Sequence, residues 1–203
     1  MLAELSSEID TFLDSSRQYI APMLLMMAGL WLFNYINWKT GAKLNKWGIR
    51  PRRAKGLIGI PMAPFLHGNF NHLLFNSMPL FVLGLFLLSE NPQTFFIATI
   101  IITLLAGLGV WLVGRRGIHI GASALIAGYF GFIVVSAYQR PTFTTFFCAG
   151  IAMYYFGGIL FSLFPTEETV SWEGHLCGFV SGLIAMYLCT YHLDFFTKMQ
   201  YLF

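Results

Sequence analysis

Along the 203 residues, charge is confined to short seams between long apolar runs: 18–38, 56–89, 91–114, 117–139, 141–166 and 174–193 contain no Asp, Glu, Lys or Arg. A helix crossing about 30 Å of hydrocarbon needs about 20 residues at 1.5 Å each, and every run is long enough. Backbone polar groups in lipid must be satisfied within their own segment, so runs of this length read as helices, and no alternating strand pattern competes. Six spans are expected, over 18–37, 71–89, 94–113, 121–138, 142–164 and 175–193. The fold class is an all-α polytopic membrane protein, with the six-span domain over 18–193 between a short N-terminal segment, 1–17, and a C-terminal tail, 194–203.

The run 56–89 is too long for one span. Gly56, Gly59, Pro61, Pro64, Gly68 and Asn69 interrupt any helix before Asn71. Residues 38–70 therefore form a long, semi-apolar first loop that dips into the interface, and loops of this length tend to carry function. The first 17 residues hold Glu4, Glu8, Asp10 and Asp14 against Arg17. An acidic start lacks the basic region of a signal peptide, so the first span is expected to stay as an anchor.

Composition narrows the class further. Apolar residues make up 57% of the chain and charged residues 10%, against about 25% charged in soluble domains. Coiled coil, disordered tail and nucleic-acid module are excluded. Cys148, Cys177 and Cys189 lie in apolar stretches with no CxxC spacing, which argues against a disulfide framework and a zinc site. Trp31, Trp38 and Trp47 fit interfacial anchors.

Spans two, four and six run parallel, so their N-terminal ends emerge on one face, and each opens on polar residues that hydrocarbon disfavours. Span two opens with His72 and Asn76, four apart and therefore on one helix face. Span four opens Gly121-Ala122-Ser123-Ala124, and span six opens Gly174-His175. Gly174, Gly178 and Gly182 recur every fourth residue, a face that lets another backbone approach closely; Ser123, Ala127 and Gly131 recur likewise in span four. Contact between these two faces would bring Ser123 to His175.

A serine hydroxyl becomes a competent nucleophile when a nearby base takes its proton, and a neutral imidazole suits that role near pH 7. The oxyanion of the tetrahedral intermediate then needs donors. His72, Asn76 and the first free N–H groups of span four are candidates, at a helix end that favours negative charge. No Asp or Glu falls inside a span, so packing alone would orient the base. Taken singly, each residue has a plainer role. A membrane-helix serine usually bonds a carbonyl of its own helix, while an isolated histidine or asparagine often bridges helices. Specificity lies in all four falling on parity-matched helix ends.

Together these segments resemble the rhomboid intramembrane serine proteases. His67-Gly-Asn-Phe-Asn-His72-Leu-Leu-Phe-Asn76 resembles the family's HxxxN segment, and Gly121-Ala122-Ser123 the front of its GxSG motif. Glu173-Gly174-His175-Leu-Cys-Gly178-Phe-Val-Ser-Gly182 resembles its HxxGxxxG sixth helix. The resemblance covers about 56–193 and implies a six-helix rhomboid-like bundle of the minimal bacterial form, with no cofactor and no metal. It implies Ser123 as nucleophile, His175 as general base and acid, and an oxyanion hole of His72, Asn76 and the Ser123 N–H. Substrates would be transmembrane proteins cut near small, helix-destabilising residues, with the fifth helix and the loop at about 165–173 as gate or cap. Two positions depart from the family: Ala124 stands where the motif has Gly, and Ala127 where members often carry an aromatic ring.

Nine of the twelve basic residues lie in loops after odd-numbered spans: Lys39, Lys43, Lys46, Arg50, Arg52, Arg53, Lys55, Arg115 and Arg116. Charge counting would put that face in the cytoplasm. The family's topology implies the reverse, with the site facing outward from the bacterial inner membrane, and is followed here because much of the first loop is expected to be membrane-embedded. His67 is read as fixing the loop, with a lesser option of helping hold the site. His119 is read as interfacial, although it lies one turn from Ser123, and His192 sits at the far end of its span. Two other functions stay open: a pseudoprotease that binds transmembrane segments uncut, and a small channel or transporter, for which duplicated halves are lacking. Zinc and aspartyl intramembrane proteases lack their motifs here.

Overall fold

A computed structural model describes residues 2–165 and 171–200, with side chains over 6–165 and 171–191. Six long helices carry the chain: α1 (Leu2–Lys39), α2 (Phe70–Glu90), α3 (Pro92–Val113), α4 (Ser123–Gln139), α5 (Phe143–Phe156) and α6 (Trp172–Gln200). Four contain stretches long and apolar enough to cross a membrane: Ser6–Lys39, Phe70–Glu90, Pro92–Val113 and Trp172–Tyr191. Helices α4 and α5 are shorter and apolar. Large apolar side chains such as Leu25, Phe75 and Tyr154 stand exposed on the outer faces, as lipid contact requires.

Helix α4 is the axis of the bundle. Its apolar residues point in every direction, the mark of a helix surrounded by others, and Tyr129, Phe130 and Phe132 are wholly or almost wholly buried. At about 1.5 Å per residue its 17 residues reach about 26 Å, short of the hydrocarbon thickness. The non-helical residues 114–122 lead into it, and Ser123 is its first residue.

Helices α4 and α6 meet through backbone. A Cβ on Gly178 would run into the Ala124 carbonyl, and one on Gly182 into the Gly128 carbonyl. The small-residue face expected on α4 was Ser123, Ala127 and Gly131. The contacts shift it by one position to Ala124 and Gly128, with Gly131 closing on the Phe179 carbonyl. The shift leaves Ser123 beside the contact rather than inside it.

The elements differ from the expected spans at three places. Helix α1 runs back to Leu2, so the acidic start is helical and continuous with the first span. Asp14 pairs with Arg17 at 2.9 Å, the Ser15 hydroxyl donates to the Ser89 carbonyl at 2.6 Å, and Phe12 packs on Phe86. Helix α5 stops at Phe156 because Gly157 and Gly158 have low helix propensity, and a single turn, Gly158–Phe161, follows. Helix α6 continues to Gln200, through the first part of the expected tail.

The first loop is a chain of short turns, Lys43–Trp47, Ala54–Gly56, Gly59–Met62 and Ala63–Phe65. It is pinned by two buried asparagines of α1. Asn34 donates to the Phe65 carbonyl at 3.0 Å and accepts from the His67 N–H at 2.9 Å. Asn37 donates to the Asn45 side chain and accepts from the Leu44 N–H. Trp38 and Trp31, expected as interfacial anchors, instead direct their indole N–H groups inward, to the His67 carbonyl and the Ser77 hydroxyl.

Candidate active site

Three helix starts converge here, and local sequence sets each of them. Helix α2 begins because Asn69 caps it, accepting from the His72 N–H at 2.9 Å. That start projects His72 and Asn76 toward the segment ahead of α4. The segment is held by the Gly121 N–H, which donates to the Ala63 carbonyl at 2.9 Å, and by an antiparallel bridge between Ile49 and His119. Gly121 has φ +116°, in the region that favours glycine. A Cβ there would lie 2.5 Å from His72 Nε2 and 3.5 Å from Asn76 Nδ2.

One long hydrogen bond bears on the tautomer of His72. Its Nδ1 accepts from the Gly68 N–H at 3.5 Å, which favours the neutral tautomer with its proton on Nε2, the nitrogen facing Gly121. Asn76 Nδ2 is buried and has no partner among the described residues. A buried, unpaired donor in a folded protein calls for an explanation, and a ligand that supplies the acceptor is one.

Ser123 is the first residue of α4, and Ala122 before it provides no side-chain cap. The amides of that first turn are therefore open. Ser77, Ser136, Ser162 and Ser181 each donate to a carbonyl three or four residues back in the chain. Ser123 makes no such bond, because no helical turn precedes it, and it is half-buried with its hydroxyl uncommitted among the described residues. A cavity of about 50 Å³ touches Ser123, Ala124 and Gly174, room for a water molecule or two.

The α4–α6 contacts pair residue 124 with 178 and 128 with 182, a constant offset in parallel helices. By that offset Ser123 falls level with residue 177, and His175 lies two residues, about 3 Å, nearer the start of α6. His175 is half-buried, and its Nδ1 lacks a hydrogen-bond partner among the described residues.

Two neighbouring histidines have defined places. His67 is fully buried; its Nε2 accepts from the Ala122 N–H at 3.4 Å, and its ring meets that of His72 edge-on at 5.0 Å. It thus touches both the segment ahead of α4 and the His72 ring, as the lesser option read from sequence, helping to hold the site, would require. Burial, with a smaller effect from His72, lowers its pKa from 6.5 to about 4. His119 has both ring nitrogens engaged: Nε2 donates to the Arg115 carbonyl at 2.9 Å, and Nδ1 pairs with the Ser171 hydroxyl at 3.0 Å. It is therefore not free to act as a base. Beside it, buried Glu173 accepts from the Arg115 N–H and lies 3.4 Å from the Arg115 guanidinium, anchoring the start of α6. Residues 166–170, within the expected cap at about 165–173, lie outside the described residues.

Comparison with known proteins identifies the family. The profile of the rhomboid domain matches residues 55–192. An uncharacterized protein of Mycobacterium tuberculosis is 38% identical over 175 residues, covering 82% of this chain and 73% of the relative. An uncharacterized protein of Mycobacterium bovis matches to the same extent, and one of Mycobacterium leprae is 35% identical over 176 residues, covering 82% of this chain and 69% of the relative. The motif-bearing helix starts all fall inside the matched region, and the chain belongs to the rhomboid family of integral membrane proteins.

Proposed function

We propose that this protein is an intramembrane serine endopeptidase that cleaves transmembrane protein substrates through an acyl-enzyme. The observation that carries the reading is the uncommitted Ser123 hydroxyl at an uncapped helix start, beside the two polar side chains that face Gly121. His175 takes the Ser123 proton as Oγ attacks the scissile carbonyl. The Ser123 N–H, His72 Nε2–H and Asn76 Nδ2 donate to the oxyanion. His175 returns the proton to the leaving amine as the C–N bond breaks. Water, deprotonated by His175, then attacks the acyl carbonyl and frees Ser123. No cofactor takes part in these steps.

The site is proposed to face outward from a bacterial inner membrane. Cysteines at Ser6 and Lys43, in a chain without Cys148, Cys177 and Cys189, test this with an impermeant thiol reagent. Labelling at 43 alone in intact cells is expected; labelling at 6 alone would invert the orientation. The proteolytic reading is tested by reconstitution with single-span reporter substrates. Cleavage by the wild type and none by Ser123→Ala or His175→Ala is expected, and undiminished cleavage by Ser123→Ala would overturn it. A pseudoprotease is the second reading, favoured by Ala124 at the position after the nucleophile; binding of reporters without any cut product would support it.

A further inference from the structure

Beside the catalytic face, four arginines line one open polar cavity of about 660 Å³: Arg50, Arg52 and Arg53 from the first loop, and Arg116 from the loop before α4. The two loops are tied together next to this cavity by the Ile49–His119 bridge, with N–H···O distances of 3.0 and 2.9 Å. No carboxylate among the described residues pairs with any of the four; the ion pairs present there use Arg17, Arg115 and Arg140. Like charges gathered without counter-charge repel one another, so the arrangement needs a compensating anion or open water.

Two details show that the cavity wall is built. Arg50 Nε is buried without a hydrogen-bond partner. Arg52 holds a left-handed backbone, φ +56°, which a side-chain-bearing residue rarely adopts. That conformation is fixed by its N–H donating to the Trp111 carbonyl and its guanidinium donating to the Leu112 carbonyl, both at 2.9 Å. The Trp111 indole in turn donates to the Arg53 carbonyl at 2.9 Å. The arginine loop is thereby seated on the end of α3, where strain of this kind commonly accompanies a binding function.

We infer that this four-arginine cavity binds the phosphate of an anionic phospholipid headgroup. Guanidinium groups match phosphate oxygens two at a time, and basic pockets beside membrane helices hold anionic headgroups. The surroundings select a lipid over a soluble anion. Exposed Ile118 lines the cavity, and exposed Leu112 and Val113 follow Trp111, whose indole bonds the Arg53 carbonyl, giving a surface for acyl chains with an indole beside it as at membrane interfaces. The inference does not depend on proteolysis, and its readout is binding.

The test uses the full chain in micelles doped equally with phosphatidylglycerol and phosphatidylcholine, with retained lipid counted by native mass spectrometry. Arg53 and Arg116 have no side-chain partner among the described residues, so Arg53→Gln/Arg116→Gln should leave the fold intact. The wild type is expected to retain phosphatidylglycerol over phosphatidylcholine, and the double variant to lose that preference by roughly 25-fold, about five-fold per charge near the surface. Lys39→Gln/Lys43→Gln removes the same charge elsewhere on this face and is expected to keep the preference. Equal loss in both variants would show diffuse attraction, and no loss in the arginine variant would remove the site; either overturns the inference. Thermal stability distinguishes the source of the anion: phosphatidylglycerol should raise the wild-type unfolding temperature and inorganic phosphate at equal concentration should not. An equal rise with phosphate would assign a soluble ligand and contradict the lipid.

Discussion

His72 presents its Nε2 to the backbone of Gly121 so closely that a single added carbon at 121 would stand 2.5 Å from it. The glycine therefore holds two constraints together, a backbone φ of +116° and the approach of an imidazole to the segment that leads into Ser123. Gly121→Ala is expected to push His72 away and to reduce kcat by about 10²–10³, the usual cost of one oxyanion donor. Steady-state cleavage of a reporter checks this, and near-wild-type kcat would separate His72 from the oxyanion.

Asn76→Ala separates catalysis from stability. Its Nδ2 is buried and unpaired among the described residues, so removing it eliminates an unsatisfied donor instead of breaking a bond. Thermal stability should be unchanged or slightly raised, while kcat falls by about 10²–10³. A large stability loss with kcat retained would assign Asn76 to helix packing.

The α4–α6 contact sets the distance between Ser123 and His175. Gly182→Ala would drive a methyl into the Gly128 carbonyl, and overpacking of this kind costs about 1–3 kcal/mol or more, since backbone cannot rotate away. Thermal unfolding should drop by several degrees with activity lost in parallel. Gly150→Ala, where nothing lies within 4 Å, is the control and should be neutral. Equal effects at both positions would deny the close packing.

Much of this site could be read along the chain, because helix periodicity and span parity are local properties. His72 and Asn76 share a face by their spacing, and Asn69 marks the start of their helix. What could not be read depends on which helix packs on which. The role of Asn34 and Asn37 needs the first loop folded back on α1. The contact of His67 with Ala122 crosses 55 residues. The α4 face was read one position off because Ser123, Ala127 and Gly131 offer as good a small-residue stripe as Ala124 and Gly128. Only the approach of α6 decides between them.

His67 gives the protein an acid-sensitive stability. The folded chain holds its pKa near 4 and the unfolded chain releases it to 6.5, so the unfolded state binds the proton first as pH falls. Stability contributed by neutral His67 is complete above about pH 6.5, declines toward pH 4 and then levels. Unfolding midpoints of the wild type and His67→Gln across this window test it. A flatter profile in the variant is expected, and the same slope in both would show that His67 is not the titrating group.

The most direct measurement needs no known substrate. The purified chain is treated in mild detergent with a fluorescent fluorophosphonate, alongside Ser123→Ala and His175→Ala. Labelling of the wild type that vanishes in both variants is the predicted result, since only an activated serine reacts. Labelling that survives Ser123→Ala would place the nucleophile elsewhere and contradict the proposed dyad.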